Sequence, residues 1–485
     1  MRLIDLIAGE NTQVTLTADI GDLEITGLTA DSRAVRPGFL FAALPGSAAD
    51  GRDYIKSAIE NGAAAILAPE DTDAPAGADL IVAQDARAAL AHMAAGFYGD
   101  QPDTIAAVTG TNGKTSVAHF TRQIWSALGN SAVSIGTLGL QMPDGSMKPS
   151  LTTPDPVTLH ADLAELSRQG VTHAVLEASS HGLDQRRMDG VRLKAAAFTN
   201  LTRDHLDYHG TVENYLAAKA RLFANLLPDD GVAVLNADVP EFEALAALTR
   251  GRILTYGRKG TDLILHEATP THSGTHITLT VLGRDIDLEL PLAGAFQIYN
   301  VLCAAGLAIG CGADAEAVTG CLGSLQGVAG RMQLAGTVSG GSVYIDYAHT
   351  PDALENVLTA LRPHTRGRLI AVIGSGGDRD RGKRPLMGGI SARLADLTIV
   401  TDDNPRSEDA AAIRAEILAA AADATEIGDR SKAISTAISE IGDGDVVVIA
   451  GKGHETGQIV GDEVLPFDDL LVARAAIETA GGQAS

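Results

Sequence analysis

Lys114, Thr115 and Ser116 stand directly behind two glycines in the run Thr109-Gly-Thr-Asn-Gly-Lys-Thr-Ser. That order of residue types is suited to holding a phosphate. Glycines let backbone N–H groups approach an anion, a lysine ammonium adds a full charge, and a threonine hydroxyl can reach Mg²⁺. The spacing departs from a strict Walker loop, because two residues rather than four separate the glycines ahead of the lysine. Two further runs carry groups that complement such a loop. Ala174 to Gly182 ends in Glu177, Ser179 and His181, and Ala195 to His209 ends in Asn200, Asp204, His205, Asp207 and His209. A carboxylate and a histidine beside a Lys-Thr phosphate loop suit a hard cation such as Mg²⁺, for which histidine is a minority ligand. Each of these polar groups could equally cap a helix or satisfy a turn; it is the set that points to a site.

The elements that must position these residues follow from the flanking patterns. Ile105 to Val108 is a short β-branched and alanine run, and Val117 to Leu128 has helical apolar spacing, so the glycines occupy a strand-to-helix turn. The whole segment 98–335 alternates strand and helix patterns, which predicts a mostly parallel sheet covered on both faces. Ligands of such sheets lie beyond the carboxyl ends of the strands, where all three runs fall. Thr211 to Phe223 reads as a helix capped by Thr211 and carrying Lys219, a position where most lysines are solvated surface groups. Alternating strands at 253–293 and an apolar helix from Gly294 to Ala305 lead to Gly330-Arg331-Met332. An arginine there fits a swinging junction residue and a plain interface ion pair equally well.

A second βα series fills 336–485. Strands at Ser342 to Tyr347, Leu369 to Ile373, Leu397 to Thr401 and Asp445 to Ala450 end in Asp346-Tyr-Ala-His-Thr-Pro351, Gly374 to Lys383, Asp402-Asp-Asn-Pro-Arg406 and Gly451-Lys-Gly-His-Glu455. The rim so formed is rich in both Arg and Asp, and it suits a zwitterionic small molecule. Residues 1–97 mix a strand running into a polar turn at Gly27 to Val35 and short strands at Phe39 to Leu44 and Ala63 to Ala68 with a helix at Tyr54 to Asn61. They make a small α/β module that is either structural or a ligand grip.

At 485 residues the chain exceeds one core, and three domains (1–97, 98–335 and 336–485) are expected. No stretch approaches the roughly 20 apolar residues of a membrane helix, and Met1 to Ile7 does not read as a signal peptide, so a cytoplasmic protein is expected. The formal charge of −24 argues against a general nucleic-acid binder. Cys303, Cys311 and Cys321 lack Cys-x-x-Cys spacing and read as small buried residues.

Taken together, T-G-T-N-G-K-T at 109–115, E-A-S-S-H-G at 177–182, N-L-T-R-D-H-L-D-Y-H-G at 200–210, D-Y-A-H-T-P at 346–351 and G-K-G-H-E at 451–455 resemble the ATP-dependent Mur ligases of peptidoglycan synthesis. The resemblance spans essentially the whole chain. G-G-D-R-D-R-G-K-R-P at 376–385 and D-N-P-R at 403–406 look like the members that add meso-diaminopimelate to UDP-N-acetylmuramoyl-L-alanyl-D-glutamate. The resemblance implies a P-loop-type central domain between a small N-terminal α/β domain and a Rossmann-like C-terminal one. ATP would be held by Thr109, Gly110, Thr111, Asn112, Gly113, Lys114 and Thr115, with Asn300 near the adenine and with Arg331 and Asp346. Mg²⁺ would be held by Thr115, Glu177, His205 and Lys219, the last as the carbamate formed with CO₂; with Lys114 these make the catalytic set. The muramoyl dipeptide would take Ala30, Ser32, Ser47, Ala48, Ala49, Thr152, Thr153, Ser179, Gln185 and Arg187. Diaminopimelate would take Arg379, Asp403, Asn404, Pro405, Arg406, Gly451 and Glu455, with the Arg406 fork pairing the distal carboxylate that lysine lacks. Gln297 and Gln333 depart from the family pattern, which often has asparagine and an acidic residue there. The implied protein is a monomer working on small molecules in cell-wall biogenesis, and so in cell shape and division. Its rivals are an L-lysine-adding ligase, a folylpolyglutamate-type synthase and a non-catalytic ATP-binding module.

Overall fold

The computed structural model describes residues 1–8, 14–46, 49–73, 80–271 and 274–485. The chain forms two compact units, Met1–Thr255 with Cys303–Asp314, and Tyr256–Leu302 with Ala315–Ser485. Both are α/β.

In the first unit, β1 (Thr15–Leu16), β2 (Gly27–Thr29), β3 (Phe39–Ala42), β4 (Ala65–Pro69) and β5 (Leu80–Ala83) make a sheet of order β1-β5-β4-β3-β2, parallel except at β1. The strand from Gly27 runs to Thr29 and gives way to the expected polar turn, where the Asp31 carboxylate accepts the Arg33 N–H at 2.9 Å and starts a 3₁₀ turn over Ser32–Ala34. Leu28, Leu40, Leu67 and Ile81 pack against Leu90 and Met93 of the helix Ala86–Tyr98.

The larger sheet of this unit comprises β6 (Thr104–Thr109), β7 (Ala132–Gly136), β8 (Gly139–Gln141), β9 (Met147–Lys148), β10 (His173–Glu177), β11 (Ala195–Phe198) and β12 (Val232–Asn236). They run in the order β12-β11-β6-β10-β7-β8-β9. β7, β10, β6, β11 and β12 are parallel. The chain adds β7 and β10 on one side of β6 and then crosses to place β11 on the other. The crevice beyond the carboxyl end of β6 is therefore a topological switch point, where such sheets bind ligands. Every residue of β6 is buried, and the helix Lys114–Ala127 lays Val117, Phe120, Ile124 and Trp125 onto the sheet at i, i+3, i+7 and i+8. Burial of each such side chain stabilises the fold by about 1.5–3 kcal/mol.

In the second unit, Tyr256 and Gly257 of β13 (Arg252–Gly257) pair with an antiparallel meander of β14 (Leu263–Pro270), β15 (Thr275–Val281) and β16 (Arg284–Leu290). The C-terminal sheet has β17 (Gln333–Val338), β18 (Gly341–Asp346), β19 (Leu369–Ile373), β20 (Leu397–Val400), β21 (Thr425–Glu426) and β22 (Val446–Ala450). A separate hairpin of β23 (Gly457–Val460) and β24 (Glu463–Pro466) follows, and then β25 (Gln483–Ala484). The order is β21-β20-β19-β22-β18-β17-β25, parallel from β21 to β18. Alternate residues feed two cores. Leu369, Ala371, Val446 and Val448 face Leu354, Leu358 and Met387, whereas Ile370, Val372, Val447 and Ile449 face Ile434, Ile438 and Ile477. Period-2 burial on both faces is what a doubly wound sheet requires. It brings the carboxyl ends of β20, β19, β22 and β18, with their four polar loops, onto one rim.

All three cysteines are free thiols; Cys303 is buried, but Cys311 and Cys321 are only half-buried, because they sit at the ends of the helices Ala295–Gly310 and Ala315–Cys321. No helix among the described residues is long and apolar enough to cross a membrane.

Candidate active site

The turn after β6 is fixed by its neighbours' backbone. Gly110 has φ 146°, and a Cβ there would lie 1.9 Å from Thr199 Oγ1. Gly113, at φ 89°, caps the helix Lys114–Ala127. Between them Thr111 N–H donates to Asn200 O at 2.8 Å, Asn112 N–H donates to Asn200 Oδ1 at 3.0 Å, and Thr199 Oγ1 donates to Asn112 O at 2.6 Å. The end of β11 therefore shapes the loop that follows β6.

Two lysines converge on this loop. Lys114 Nζ donates to Gly110 O at 2.9 Å and to Thr111 O at 2.8 Å. Lys219, 1 % exposed on the helix Val212–Arg221, donates from Nζ to the same Gly110 O at 2.8 Å and lies 4.3 Å above the Tyr215 ring. Burial first, and the Lys114 charge second, push the Lys219 amine well below the ordinary lysine range. Beside them Thr115 Oγ1 donates to Glu177 Oε2 at 3.0 Å. Glu177 also accepts from Thr137 N–H at 2.9 Å and Thr137 Oγ1 at 3.1 Å. The carboxylate fits because position 136 is glycine; a Cβ there would lie 2.0 Å from Glu177 Oε1. His205 sits in the left-handed region at φ 52°, its ring edge-on to His181 at 4.9 Å and to Tyr215 at 6.2 Å. The described residues form no cluster of three or more His, Cys, Asp or Glu side chains able to hold a metal. Thr115 and Glu177 do bring a hydroxyl and a carboxylate together, oxygen donors of the kind Mg²⁺ takes while sharing its shell with phosphate.

A hydroxyl network extends from Glu177. Thr137 and Thr152 hydroxyls meet at 3.1 Å, Thr153 Oγ1 donates to Glu177 O at 2.7 Å and meets Ser179 Oγ at 3.0 Å, and Arg187 Nη1 donates to Thr153 O at 2.8 Å. Arg187 also grips the Gln185 side-chain carbonyl at 2.7 Å. Thr152, Thr153, Ser179, Gln185 and Arg187 are thus one connected surface. Ala30, Ser32 and Ala49 follow the carboxyl ends of the adjacent strands β2 and β3, whereas Ser47 and Ala48 lie outside the described residues.

In the second unit Asn300 donates to Gln297 Oε1 at 2.9 Å, and Gln297 Nε2 donates to Arg331 O at 3.2 Å. Gln333 accepts the Gly330 N–H at 2.9 Å. Both glutamines that depart from the family pattern therefore brace the Gly-Arg turn. Arg331 stacks 4.4 Å from the Tyr347 ring centre. Asp346 ends β18 buried, accepting Met332 N–H at 2.7 Å and Ala348 N–H at 2.8 Å; burial pushes its carboxyl up to about 6, against the pull of Arg331 and those amides.

On the rim, Asn404 Nδ2 donates to Glu455 Oε2 at 2.9 Å, and the fully buried Lys452 donates to Asn404 Oδ1 at 2.8 Å and to Glu455 Oε2 at 3.3 Å. Gly451, at φ 119°, leaves room for Asp403, whose Oδ2 would lie 2.6 Å from a Cβ there. Arg406, following Pro405, sits at φ 51° with Nη1 donating to Gly377 O at 2.8 Å. Arg379 stands apart, exposed, with Nη1 on the Asp378 carbonyl at 2.9 Å. Lys452, Thr137 and Tyr215 were not singled out by spacing; only Lys452, inside Gly451-Lys-Gly-His-Glu455, carried a signal.

Residues 24–98 match the Mur ligase family catalytic domain, 108–308 the Mur ligase middle domain, and 330–453 the Mur ligase glutamate ligase domain. The chain is 55 % identical over 467 residues to the UDP-N-acetylmuramoyl-L-alanyl-D-glutamate–2,6-diaminopimelate ligase of Caulobacter vibrioides, covering 94 % of this chain and 96 % of that one. It is 53 % identical over 485 residues to the enzyme of the same name from Rhizobium meliloti, covering 98 % and 99 %. The chain belongs to the Mur ligase family. It is an ATP-dependent amide-bond-forming ligase of peptidoglycan synthesis. A solved structure of a ligase with that same name superposes with a TM-score of 0.73 at 34 % identity, covering all of both chains. The MurF ligase of Thermotoga maritima in complex with ADP shares the fold, with a TM-score of 0.64 at 20 % identity over 95 % of this chain and 98 % of that one.

Proposed function

We propose that this Mur ligase joins meso-2,6-diaminopimelate to the D-glutamate of UDP-N-acetylmuramoyl-L-alanyl-D-glutamate, with ATP converted to ADP and phosphate, acting as a cytoplasmic monomer. The observation that carries the reading is the convergence of Lys114 and Lys219 on the Gly110 carbonyl beside the Thr115–Glu177 pair. The names of its full-length relatives support the choice of substrates.

Residues 1–97 take the uridine nucleotide through Ala30, Ser32 and the loop 47–49, and 98–335 supply the ATP chemistry. Residues 336–485 receive the amino acid through Arg379, Asp403, Asn404, Pro405, Arg406, Gly451 and Glu455. Thr152, Thr153, Ser179, Gln185 and Arg187 orient the dipeptide so that an oxygen of the D-glutamyl γ-carboxylate attacks the γ-phosphorus of ATP. The P–O bond to ADP breaks and an acyl phosphate forms. Lys114, held at the loop by two carbonyls, neutralises charge gathering on the transferred phosphoryl group. Thr115, Glu177, His205 and carbamylated Lys219 would hold Mg²⁺, which supplies further charge neutralisation to the phosphates. A neutral Lys219 amine is the form that adds to CO₂, losing a proton to become the carbamate, and its depressed basicity favours that form. Asn300, Arg331 and Asp346 are assigned to the nucleotide.

The free amine of diaminopimelate then attacks the acyl carbon, and the tetrahedral intermediate expels phosphate and sheds a proton. Positioning supplies most of the acceleration. Arg406 offers its fork to the distal carboxylate, whereas lysine would present an ammonium there. Desolvated, that mismatch is worth a few kcal/mol, a preference on the order of 10²–10⁴-fold. The test is mass spectrometry of the nucleotide product after incubation with ATP, Mg²⁺, the UDP-muramoyl dipeptide and meso-diaminopimelate. A product heavier by diaminopimelate less one water is expected; unchanged dipeptide would end the proposal.

A further inference from the structure

The loops after β19 and β20 are joined by a charge cluster built around the fully buried Arg384. Arg384, fully buried in the first turn of the helix Lys383–Leu394, grips Glu408 with both ends of its fork, Nη2 to Oε1 at 2.8 Å and Nη1 to Oε2 at 3.0 Å. Its Nη1 also donates to Glu416 Oε2 at 2.9 Å, and Arg381 closes the cluster by pairing with Glu416. Glu408 Oε1 in turn accepts the Asp378 N–H at 2.6 Å. The Asp378 carboxylate accepts Ser407 Oγ at 2.7 Å and Ser407 N–H at 3.1 Å. Gly377 N–H donates to Asn404 O at 2.9 Å, and a Cβ on Gly377 would lie 1.9 Å from Pro405 O, so the two loops touch backbone to backbone.

Arg406 lies in the middle of this seam. Its φ of 51° puts a non-glycine residue in the sparsely populated left-handed region, next to the left-handed Asp378 at 54°. The hairpin β23–β24 holds its backbone from the outside, with Arg406 N–H on Ile459 O at 3.0 Å and Gly461 N–H on Arg406 O at 2.8 Å. The 374–383 loop holds its guanidinium through Gly377 O, and no other hydrogen bond engages that guanidinium among the described residues. Where the fork points therefore depends on how the 374–383 loop sits against residues 402–408, and Arg384 with Glu408 fixes that.

We propose that Arg384 and Glu408 are positioning residues for amino-acid selection, clamping the two loops so that the Arg406 fork meets a distal carboxylate and refuses a distal ammonium. The inference rests on the reading of Arg406 as the diaminopimelate-selecting residue. Removing either partner leaves like charges adjacent, which loosens the seam without touching the phosphate loop.

The experiment is steady-state phosphate release by the full chain and its variants Glu408→Gln and Arg384→Met, with meso-diaminopimelate or L-lysine as the amino acid. Glu408→Gln keeps shape and an acceptor for Asp378, so it guards against an Arg384→Met chain that fails to fold. The expected result is a KM for diaminopimelate raised about tenfold, the scale of coupling between contacting groups, with the KM values for ATP and the UDP-dipeptide unchanged and the preference over lysine reduced. On an Arg406→Ala background, Glu408→Gln should raise the KM for diaminopimelate no further. A preference that survives in folded Glu408→Gln, or three KM values that rise together, would overturn the inference. A wild-type chain indifferent to diaminopimelate would instead remove the underlying reading of Arg406.

Discussion

The loop after β6, proposed to hold phosphate, and the rim around Asn404, proposed to receive the amino acid, both follow strands of parallel sheets, yet they are held in opposite ways. Around Gly110 the geometry comes from backbone and hydroxyl groups, Thr199 and Asn200 above all, and two lysine side chains are brought to one carbonyl, where burial and the Lys114 charge depress the basicity of Lys219. Around Asn404 the geometry comes from opposite charges already matched within the protein: Arg384 with Glu408 and Glu416, Lys452 with Glu455, and Arg430 with Asp469. A loop proposed to receive a polyanion gains from backbone N–H groups and one well-placed ammonium, Lys114. A rim that must tell one zwitterion from another gains from charges that stay put, because selection depends on where one fork points.

That contrast makes loss of the loop's cation the most damaging change to catalysis. Lys114→Ala should lower phosphate release by at least about 10³-fold, the scale for removing a preorganised group that meets developing charge. Its thermal midpoint should remain close to that of the parent. Near-normal turnover in a stopped-time phosphate assay would remove the loop from the mechanism.

On the rim the corresponding loss is one of stability. Arg430 and Asp469 are both fully buried, and Arg430 also donates to the Ala450 carbonyl at the end of β22 at 3.0 Å. Arg430→Met leaves Asp469 uncompensated and should destabilise the fold by roughly 3–5 kcal/mol, read by urea unfolding. A shift under about 1 kcal/mol would mean that water reaches the pair.

Gly110→Ala should fall next. The φ of 146° and the approach to Thr199 Oγ1 leave no place for a methyl, so a loss of roughly 1–3 kcal/mol is expected, together with weaker ATP binding by calorimetry. An alanine variant of unchanged affinity would show that the loop is less rigid than its hydrogen bonds suggest.

The smallest effect is on acid stability. The Arg384 fork first, and the Asp378 N–H second, hold the Glu408 carboxyl at about 2, below its ordinary 4.5. A depressed carboxyl contributes stability that is present above pH 4.5 and lost as the pH falls toward 2. Unfolding midpoints measured across that window should decline more steeply for the parent chain than for Glu408→Gln; parallel declines would show that the pairing adds nothing net.

Much of the phosphate loop was legible because strand, glycine turn and helix start are local events within a dozen residues. Lys219 was not. Its helix position looks like a solvated one, and only the fold reveals that Ala218, Ala220 and Tyr215 bury with it. The small neighbours on either side of Lys219 are the trace that spacing leaves of such burial. The four strand ends of the C-terminal rim were read correctly as one edge, since parallel βα order dictates it. What lies beneath them was invisible, because Arg384 finds Glu408 and Lys452 finds Asn404 across dozens of intervening residues with no periodic signature. The cysteines read as small buried residues, and all three are free thiols with Cys303 buried. What spacing did not show is that helix ends at Cys311 and Cys321 leave both partly open. Arg379, carried by the motif resemblance, stands exposed on its own loop.

The most direct test of the account is phosphate release by the purified chain with ATP, Mg²⁺ and the UDP-muramoyl dipeptide, comparing meso-diaminopimelate with L-lysine at matched concentrations. Release with diaminopimelate, and at least about a hundredfold less with lysine, is the predicted result. Equal release with both amino acids would contradict the role given to Arg406, and no release with either would contradict the proposed ligation itself.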